Sequence, residues 1–146
     1  MKKLAQLVLL LTLGLSSTLD VLAQTPIPVC PQTGGYTGAT RGYYFTAPAN
    51  FTICGIFVED DMSTAFQNAA IVRFTAGAPP LFNGTTNSFV TLWQNLNYVP
   101  NTMIPVPNIT ISAGDIIGIY GSRTANSVNS YGAAGCMMTI AGIPTV

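Results

Sequence analysis

The chain has 146 residues, of which five are Lys or Arg, five are Asp or Glu and none is His. Beyond residue 23 there are three arginines, four carboxylates and no lysine, which gives a net charge of −1. This weak charge argues against a nucleic-acid partner, which needs clustered positive charge, and against attachment to anionic lipid.

The first 23 residues have the layout of a secretory signal peptide. Two lysines precede an apolar run over 4–15, and Val21 and Ala23 occupy the −3 and −1 positions before Gln24. This pattern predicts a signal helix over 1–23 that is cleaved before Gln24. The alternative, a membrane anchor, would need about 20 apolar residues. We therefore expect a protein that is secreted or displayed on a cell surface and makes no membrane contact after cleavage.

The rest of the chain has the pattern of short strands separated by turns. Residues 24–42 end in a stretch rich in Gly and Thr, which predicts a flexible lead-in to a single domain over 43–146. Strands are predicted where β-branched and aromatic residues are bounded by Gly, Pro, Asn and Asp. In chain order the predicted strands are Tyr43–Thr46, Phe51–Val58, Gln67–Phe74, Ser88–Gln94, Thr102–Val106, Asn108–Ser112, Ile116–Tyr120 and Gly135–Ala141.

The spacing of these segments predicts the fold class. Short strands that recur roughly every 8–12 residues, with turn residues between them, are typical of an antiparallel β-sandwich. No stretch of helical periodicity follows the signal segment, so the crossover helices of a parallel sheet are not available. Pro105 places its segment at a sheet edge. We therefore expect an all-β fold, an antiparallel β-sandwich of the jelly-roll type.

Two segments resemble parts of known modules. Residues 42–55 resemble the opening G-Y-x-F-T-A-P-x-x-F-T-I-x-G of secreted bacterial β-sandwich domains in surface-associated proteins. Residues 109–118 resemble the hairpin I-x-V-x-A-G-D-x-I-G of jelly-roll and lectin-like modules. The resemblance implies a bacterial source and a β-sandwich, and its motifs are structural and not catalytic. Such domains continue for one or two strands where this chain stops at Val146, which predicts a natural short form or a C-terminally incomplete domain.

Three cysteines follow the signal segment, and an odd number leaves at least one of them outside an internal bridge. One disulfide is expected in an oxidising compartment. Cys54 and Cys136 both lie in predicted strands, which favours their pairing and leaves Cys30 over. A buried, unpaired cysteine is the alternative.

Carboxylates offer two candidate sites. Glu59, Asp60 and Asp61 form an acidic cluster that could supply oxygen ligands to Ca²⁺, with a solvated loop as the alternative, and no other cofactor is expected. Asp115 follows Gly114 in a hairpin turn, where a carboxylate typically accepts hydrogen bonds from backbone N–H groups. This turn role is preferred to glycoside hydrolysis, which requires two carboxylates about 5–10 Å apart.

Aromatic side chains are the better candidates for a ligand site, because they could present flat faces to sugar rings. The preferred residues are Trp93, Tyr43, Tyr44 and Tyr98, with Asn95 as a hydrogen-bonding partner and Tyr120 and Tyr131 in the wider aromatic set. The alternative for Trp93 is a place in the core with its N–H satisfied. Strand alternation groups Trp93 with Phe89 and Thr91 but does not tell which face is buried.

These observations predict a protein that is not an enzyme, since serine and cysteine lack a histidine or lysine base. The leading hypothesis is a secreted, non-catalytic module with a structural, adhesive or cell-surface role. A carbohydrate-binding module is the alternative, and a glycoside hydrolase is less favoured. The expected partners are a glycan or another surface protein. Self-association through an open strand edge is also expected, because lysine, which often protects sheet edges, is missing after residue 23.

Overall fold

The structure is a computed structural model, and it describes residues 25–27, 29, 31, 34–37, 40–58, 65–80, 84–123, 128–131 and 137–145. Within these ranges it contains strands and turns and no helix. Every strand pair is antiparallel. The predicted all-β, antiparallel fold is therefore confirmed, while the predicted signal helix over 1–23 lies outside the described residues.

Ten strands follow one another along the described residues. In chain order they are β1 (Gly34–Thr37), β2 (Arg41–Thr46), β3 (Phe51–Phe57), β4 (Gln67–Phe74), β5 (Phe89–Tyr98), β6 (Met103–Ile111), β7 (Ile116–Arg123), β8 (Val128–Tyr131), β9 (Met138–Ile140) and β10 (Ile143–Thr145). A four-stranded sheet, which we call the main sheet, has the spatial order β2-β7-β4-β5. The other strands pair as β3–β6, β1–β8 and β9–β10.

The hydrophobic core joins the main sheet to the β3–β6 and β9–β10 pairs. Six of its buried members come from five strands and one directly follows β2; they are Phe45, Ala47, Ile71, Val106, Ile111, Ile117 and Ile140. β-Branched side chains suit this position because they pack well on a pleated surface. Burying one isoleucine contributes about 1.5–3 kcal/mol, so this cluster is a main source of the fold's stability.

The register of the main sheet assigns its two faces. Residues directly opposite each other in an antiparallel pair point to the same side. Ile71 of β4, which is completely buried in the core, lies opposite Ile119 of β7 and Trp93 of β5. Side chains in phase with Ile71 therefore face the core. The alternate side chains form the opposite side, which we call the outer face.

Asp115 stabilises the turn between β6 and β7, as predicted. The backbone N–H of Ser112 donates to Oδ2 of Asp115 at 2.9 Å, and Gly114 between them has a φ of +90° that favours glycine. Nη1 of Arg73 lies 3.6 Å from the same carboxylate oxygen. Because this ion pair is partly exposed, the turn hydrogen bond supplies most of the stabilisation by Asp115.

Strand boundaries differ from the prediction where pairing overrides local sequence. β1 and the start of β2 lie within residues 24–42, where a flexible lead-in is predicted, because pairing with β8 and β7 orders these glycine-containing segments. The predicted segments on either side of Pro107 form one strand, β6. Prolines are tolerated there because β6 has a single partner strand among the described residues. Strands β8 and β10 are not predicted.

Candidate ligand-binding face

Four aromatic rings meet on the outer face of the main sheet. Each comes from a different strand, and they are Tyr44 of β2, Phe74 of β4, Phe89 of β5 and Tyr120 of β7. Phe74 lies directly opposite Phe89 in the register of β4 and β5. The sheet order thus brings together residues that are distant in the sequence.

Phe74 is the centre of this cluster. Its ring centroid lies 6.4 Å from that of Tyr44, 6.3 Å from that of Phe89 and 6.5 Å from that of Tyr120. The interplanar angles of 77°, 70° and 78° make all three contacts edge-to-face, an arrangement that the ring quadrupoles favour. Phe74 is 8 % exposed, whereas Tyr44 and Phe89 are 45 % and 42 % exposed. The packed central ring therefore supports exposed rings around it.

Two glycines make room for the ring of Tyr120. A Cβ atom at Gly118 would lie 2.5 Å from Cε2 of Tyr120 and 3.0 Å from the ring of Phe74. A Cβ atom at Gly42 would lie 2.7 Å from Cδ1 of Tyr120 and would overlap the carbonyl oxygen of Ile119. The tyrosine ring thus lies directly on the backbone of β2 and β7, which only glycine permits at these two positions.

The segment that follows β4 forms a wall beside these rings. Pro79 and Pro80, with Gly84 and Thr86 farther along the chain, line an open groove of about 530 Å³ together with the four rings. This volume falls within the range of small-molecule sites, about 300–1,000 Å³. No described residue that lines the groove carries a formal charge. We call this site the aromatic groove.

The hydroxyl group of Tyr120 stays protonated well above neutral pH. Burial raises the pKa of Tyr120 above its ordinary value of 10.0, and the neighbouring Tyr44 raises it further. Burial also raises the pKa of Tyr43, on the core-facing side. Because Tyr43 keeps 39 % of its surface exposed, this pKa reflects the protein atoms around its hydroxyl and not complete burial of the residue. The aromatic groove therefore presents Tyr120 as a neutral hydrogen-bonding group.

Of the five preferred ligand residues, Tyr44 alone lies in the aromatic groove, where it is joined by Tyr120 of the wider aromatic set. Trp93, opposite Ile71, is partly buried and packs against the core cluster. Tyr43 stacks on the buried ring of Phe45 with a centroid separation of 6.4 Å. Trp93 and Tyr43 are thus on the core-facing side of the main sheet and belong to a different surface from Tyr44.

A β-bulge separates Phe89 from Trp93, which strict alternation places on one face. The register of β4 and β5 shifts between Ile71 and Val72, which leaves Leu92 as an extra residue in β5. Leu92 and Trp93 consequently both pack against the core, while Phe89 lines the groove. The expectation of uninterrupted alternation along β5 is wrong.

Asn95 and Tyr98 lie together near the C-terminal end of β5. Nδ2 of Asn95 donates a hydrogen bond to Oη of Tyr98 at 3.2 Å. Their partners in β4 are Ala69 and Gln67, both buried and both on the core-facing side. The structure therefore brings these two predicted residues to each other and not to the aromatic groove.

Three of the four groove rings, Phe74, Phe89 and Tyr120, are not among the five preferred ligand residues. A sequence signal for Tyr120 is its position between Gly118 and Gly121, because glycines on a strand leave room for a neighbouring ring. The signal for Phe74 and Phe89 is weaker, since their contact depends on the pairing of β4 with β5. Only the register between these strands shows that the two rings meet.

Several predicted features fall outside the described residues. They are the candidate Ca²⁺ ligands Glu59, Asp60 and Asp61 and the cysteines Cys30 and Cys136. Cys54 is described and is a free, half-buried thiol in β3, which differs from the predicted Cys54–Cys136 disulfide. A position in two strands does not by itself bring two Cα atoms within the roughly 4.4–6.8 Å that a disulfide requires.

No protein-family model, curated protein or solved structure matches the chain. The resemblances of residues 42–55 to secreted bacterial β-sandwich domains and of residues 109–118 to jelly-roll and lectin-like modules therefore stay predictions. Among the described residues, no helix has the length and apolar character that crossing a membrane requires.

Proposed function

We propose that the chain is a secreted, non-catalytic β-sandwich module of the jelly-roll type that binds neutral carbohydrate and serves an adhesive role at a bacterial cell surface. The observation that carries this proposal is the aromatic groove, whose described lining is uncharged. The signal-like segment over 1–23 supports secretion. The resemblance of residues 42–55 supports the bacterial source and the surface location.

Carbohydrate suits the groove because a sugar ring has both apolar and polar surfaces. Its C–H groups can lie against an aromatic ring, while its hydroxyl groups need hydrogen-bond partners at the rim. The exposed rings of Tyr44 and Phe89 offer the apolar contact, and the hydroxyl groups of Tyr120 and Thr86 offer polar contacts. A neutral ligand is favoured because a charged one would lose water without gaining a counter-charge.

Packing supports the sandwich form of the module. Ile71 and Ile117 of the main sheet share one buried cluster with Val106 and Ile111 of β6. Two antiparallel sheets that face each other across a common core are the defining arrangement of a sandwich. In that arrangement the outer face of the main sheet is turned to solvent, where a ligand can reach the aromatic groove.

The environment of Asp115 supports a non-catalytic role. Its carboxylate accepts the backbone hydrogen bond of Ser112 and lies beside Arg73, so it already serves the β6–β7 turn. Glycoside hydrolysis needs two carboxyl groups about 5–9.5 Å apart on either side of the scissile bond. The described lining of the aromatic groove supplies no carboxylate.

An array of neutral glycans, probed with the secreted protein and two groove variants, tests the proposal. Tyr44→Ala and Phe89→Ala are each expected to weaken binding by roughly tenfold or more, because exposed aromatic anchors dominate such contacts. Phe66→Ala is the matched control, since Phe66 is 52 % exposed and lies outside the groove. No binding to any neutral glycan would refute carbohydrate recognition, and full binding by both groove variants would refute the aromatic groove as its site. Binding of a proline-rich peptide alone would reassign the groove.

Strand β5 favours a second candidate function, self-association into a structural assembly. Among the described strands, β5 is at one edge of the main sheet with β4 as its neighbour. Its ten residues include no charged residue and no proline, and Val90 and Leu96 are 48 % and 63 % exposed. Such an edge is open to pairing with another strand. Sedimentation at high micromolar concentration should show dimers that Leu96→Lys reduces, and a strictly monomeric protein would exclude this function.

A further inference from the structure

A second, smaller pocket adjoins the aromatic groove on the outer face. It has a volume of about 180 Å³, and Thr40 and Tyr120 line both this pocket and the groove. Its polar walls are Asn68 of β4, Gln94 of β5 and Ser122 of β7. We call these three residues, together with Thr40, the amide patch.

The amide of Asn68 is held in a fixed orientation within this patch. Its Nδ2 donates to Oγ of Ser122 at 3.3 Å, and its Oδ1 accepts the backbone N–H of Asn97 at 3.1 Å. A group that is already ordered loses less conformational entropy when a ligand binds. The oxygen of Ser122 and the second N–H of Asn68 therefore form a prearranged pair of hydrogen-bonding groups.

Gln94 is an exposed member of the amide patch. Its side chain makes no hydrogen bond to another residue in the described part of the chain. It lies opposite Ala70, whose small side chain leaves open the space above β4. Both the carbonyl oxygen and the NH₂ group of Gln94 are thus available to a ligand on the outer face.

The groove and the amide patch form one continuous strip. Along β4 the outer face changes from Phe74 in the groove to Asn68 in the patch over six residues, a distance of about 20 Å. Such a strip is longer than a single sugar ring. The pocket at the patch, at about 180 Å³, is also smaller than the usual independent site of about 300–1,000 Å³. The patch therefore extends the groove.

We infer that the strip binds a linear, neutral oligosaccharide, with one sugar ring against the aromatic rings and a ring farther along the same chain hydrogen-bonded by the amide patch. This inference rests on the proposed function and adds the length of the ligand. No described residue that lines either site is charged, which suits uncharged sugar units along the whole strip. A side-chain amide both donates and accepts hydrogen bonds, as a sugar hydroxyl does.

Isothermal titration calorimetry with glucose, maltotetraose and cellotetraose measures the effect of ligand length. One of the tetrasaccharides is expected to bind the wild-type protein roughly tenfold more tightly than glucose, which corresponds to one or two added hydrogen bonds. Gln94→Ala is expected to reduce this ratio to roughly twofold and to leave glucose binding unchanged. Thr52→Ala, at an exposed position on β3 outside both sites, is the matched control and should change neither the affinity ratio nor the affinity for glucose.

Amide NMR spectra give a second readout that does not depend on affinity. The tetrasaccharide is expected to shift the backbone resonances of Gly118, under the groove, and of Ser122, in the amide patch. Glucose is expected to shift the Gly118 resonance and to leave that of Ser122 in place. Shifts confined to Gly118 with the tetrasaccharide would overturn the inference.

The outcomes separate this inference from the proposed function. Equal affinities for glucose and the tetrasaccharides, or a Gln94→Ala protein that keeps the full ratio, overturn the two-ring site and leave carbohydrate binding in place. Failure of every neutral glycan on the array overturns both. If the array selects another neutral glycan, that glycan and its terminal monosaccharide are compared in the same titrations. The same affinity ratios then decide the inference.

Discussion

Replacing Phe74 with alanine removes the ring that supports the other three aromatic rings of the groove. Phe74 is 8 % exposed and makes three edge-to-face contacts. A buried Phe→Ala substitution costs about 3–5 kcal/mol, and each aromatic pair contributes about 0.5–1.5 kcal/mol of that total. Because solvent can enter the space beneath an open groove, we expect a loss near the lower limit, about 3 kcal/mol.

Urea denaturation followed by the fluorescence of Trp93 measures this loss. Trp93 is the single tryptophan of the chain and packs against the core, so its emission reports unfolding of the main sheet. With an m-value of about 2 kcal/mol/M, a loss of about 3 kcal/mol lowers the midpoint by about 1.5 M. Phe74→Leu keeps most of the volume and loses the ring contacts, so its loss should be about 1–1.5 kcal/mol.

The control for this experiment is Phe66→Ala. Phe66 is 52 % exposed and makes no ring contact with the cluster. Its replacement should change the free energy of unfolding by about 0.5 kcal/mol or less. Equal losses for Phe74→Ala and Phe66→Ala would refute the view that Phe74 is a packed support.

The remaining predictions concern the outer face, alkaline pH and the β6–β7 turn. Gly118→Ala should displace the Tyr120 ring, lower stability by about 1–3 kcal/mol and weaken glycan binding, and a crystal structure with an unmoved ring would contradict this. Because the folded-state pKa values of Tyr43 and Tyr120 are raised above 10.0, the stability they contribute is complete below pH 10 and is lost as the pH rises through the raised values. Urea midpoints that stay constant from pH 9 to about pH 11 would contradict this. Asp115→Ala should cost about 1.5 kcal/mol through the lost Ser112 hydrogen bond, and Asp115→Asn, which keeps an acceptor, should cost less in the same urea assay.

Sequence patterns predict the strands well where hydrophobic residues and turn residues agree. The bounds of β4, Gln67–Phe74, match the predicted segment, and the Gly114-Asp115 turn has its predicted position and hydrogen bond. β1 and β8 are not predicted because a four-residue strand with two glycines or two polar residues has little intrinsic preference. Only pairing between distant segments orders them.

The candidate site is less accessible to prediction because it depends on sheet order. Tyr44, Phe74 and Tyr120 belong to strands that are neighbours only in the folded sheet, and no local pattern specifies the order β2-β7-β4-β5. The bulge at Leu92 also changes which face each residue of β5 occupies. A period of two residues therefore identifies the strand but assigns Phe89 and Trp93 to the same side.

The uncharged described lining of the aromatic groove has a consequence for how a ligand bound there would respond to ionic strength. Coulombic contacts between exposed groups weaken as ionic strength rises, because the screening length falls from about 30 Å at 0.01 M salt to about 3 Å at 1 M. Contacts made through apolar rings and neutral hydroxyl groups lack this dependence, and excluded salts strengthen apolar burial. An attachment made through Tyr44, Phe89 and Tyr120 would therefore hold as firmly in sea water as in fresh water.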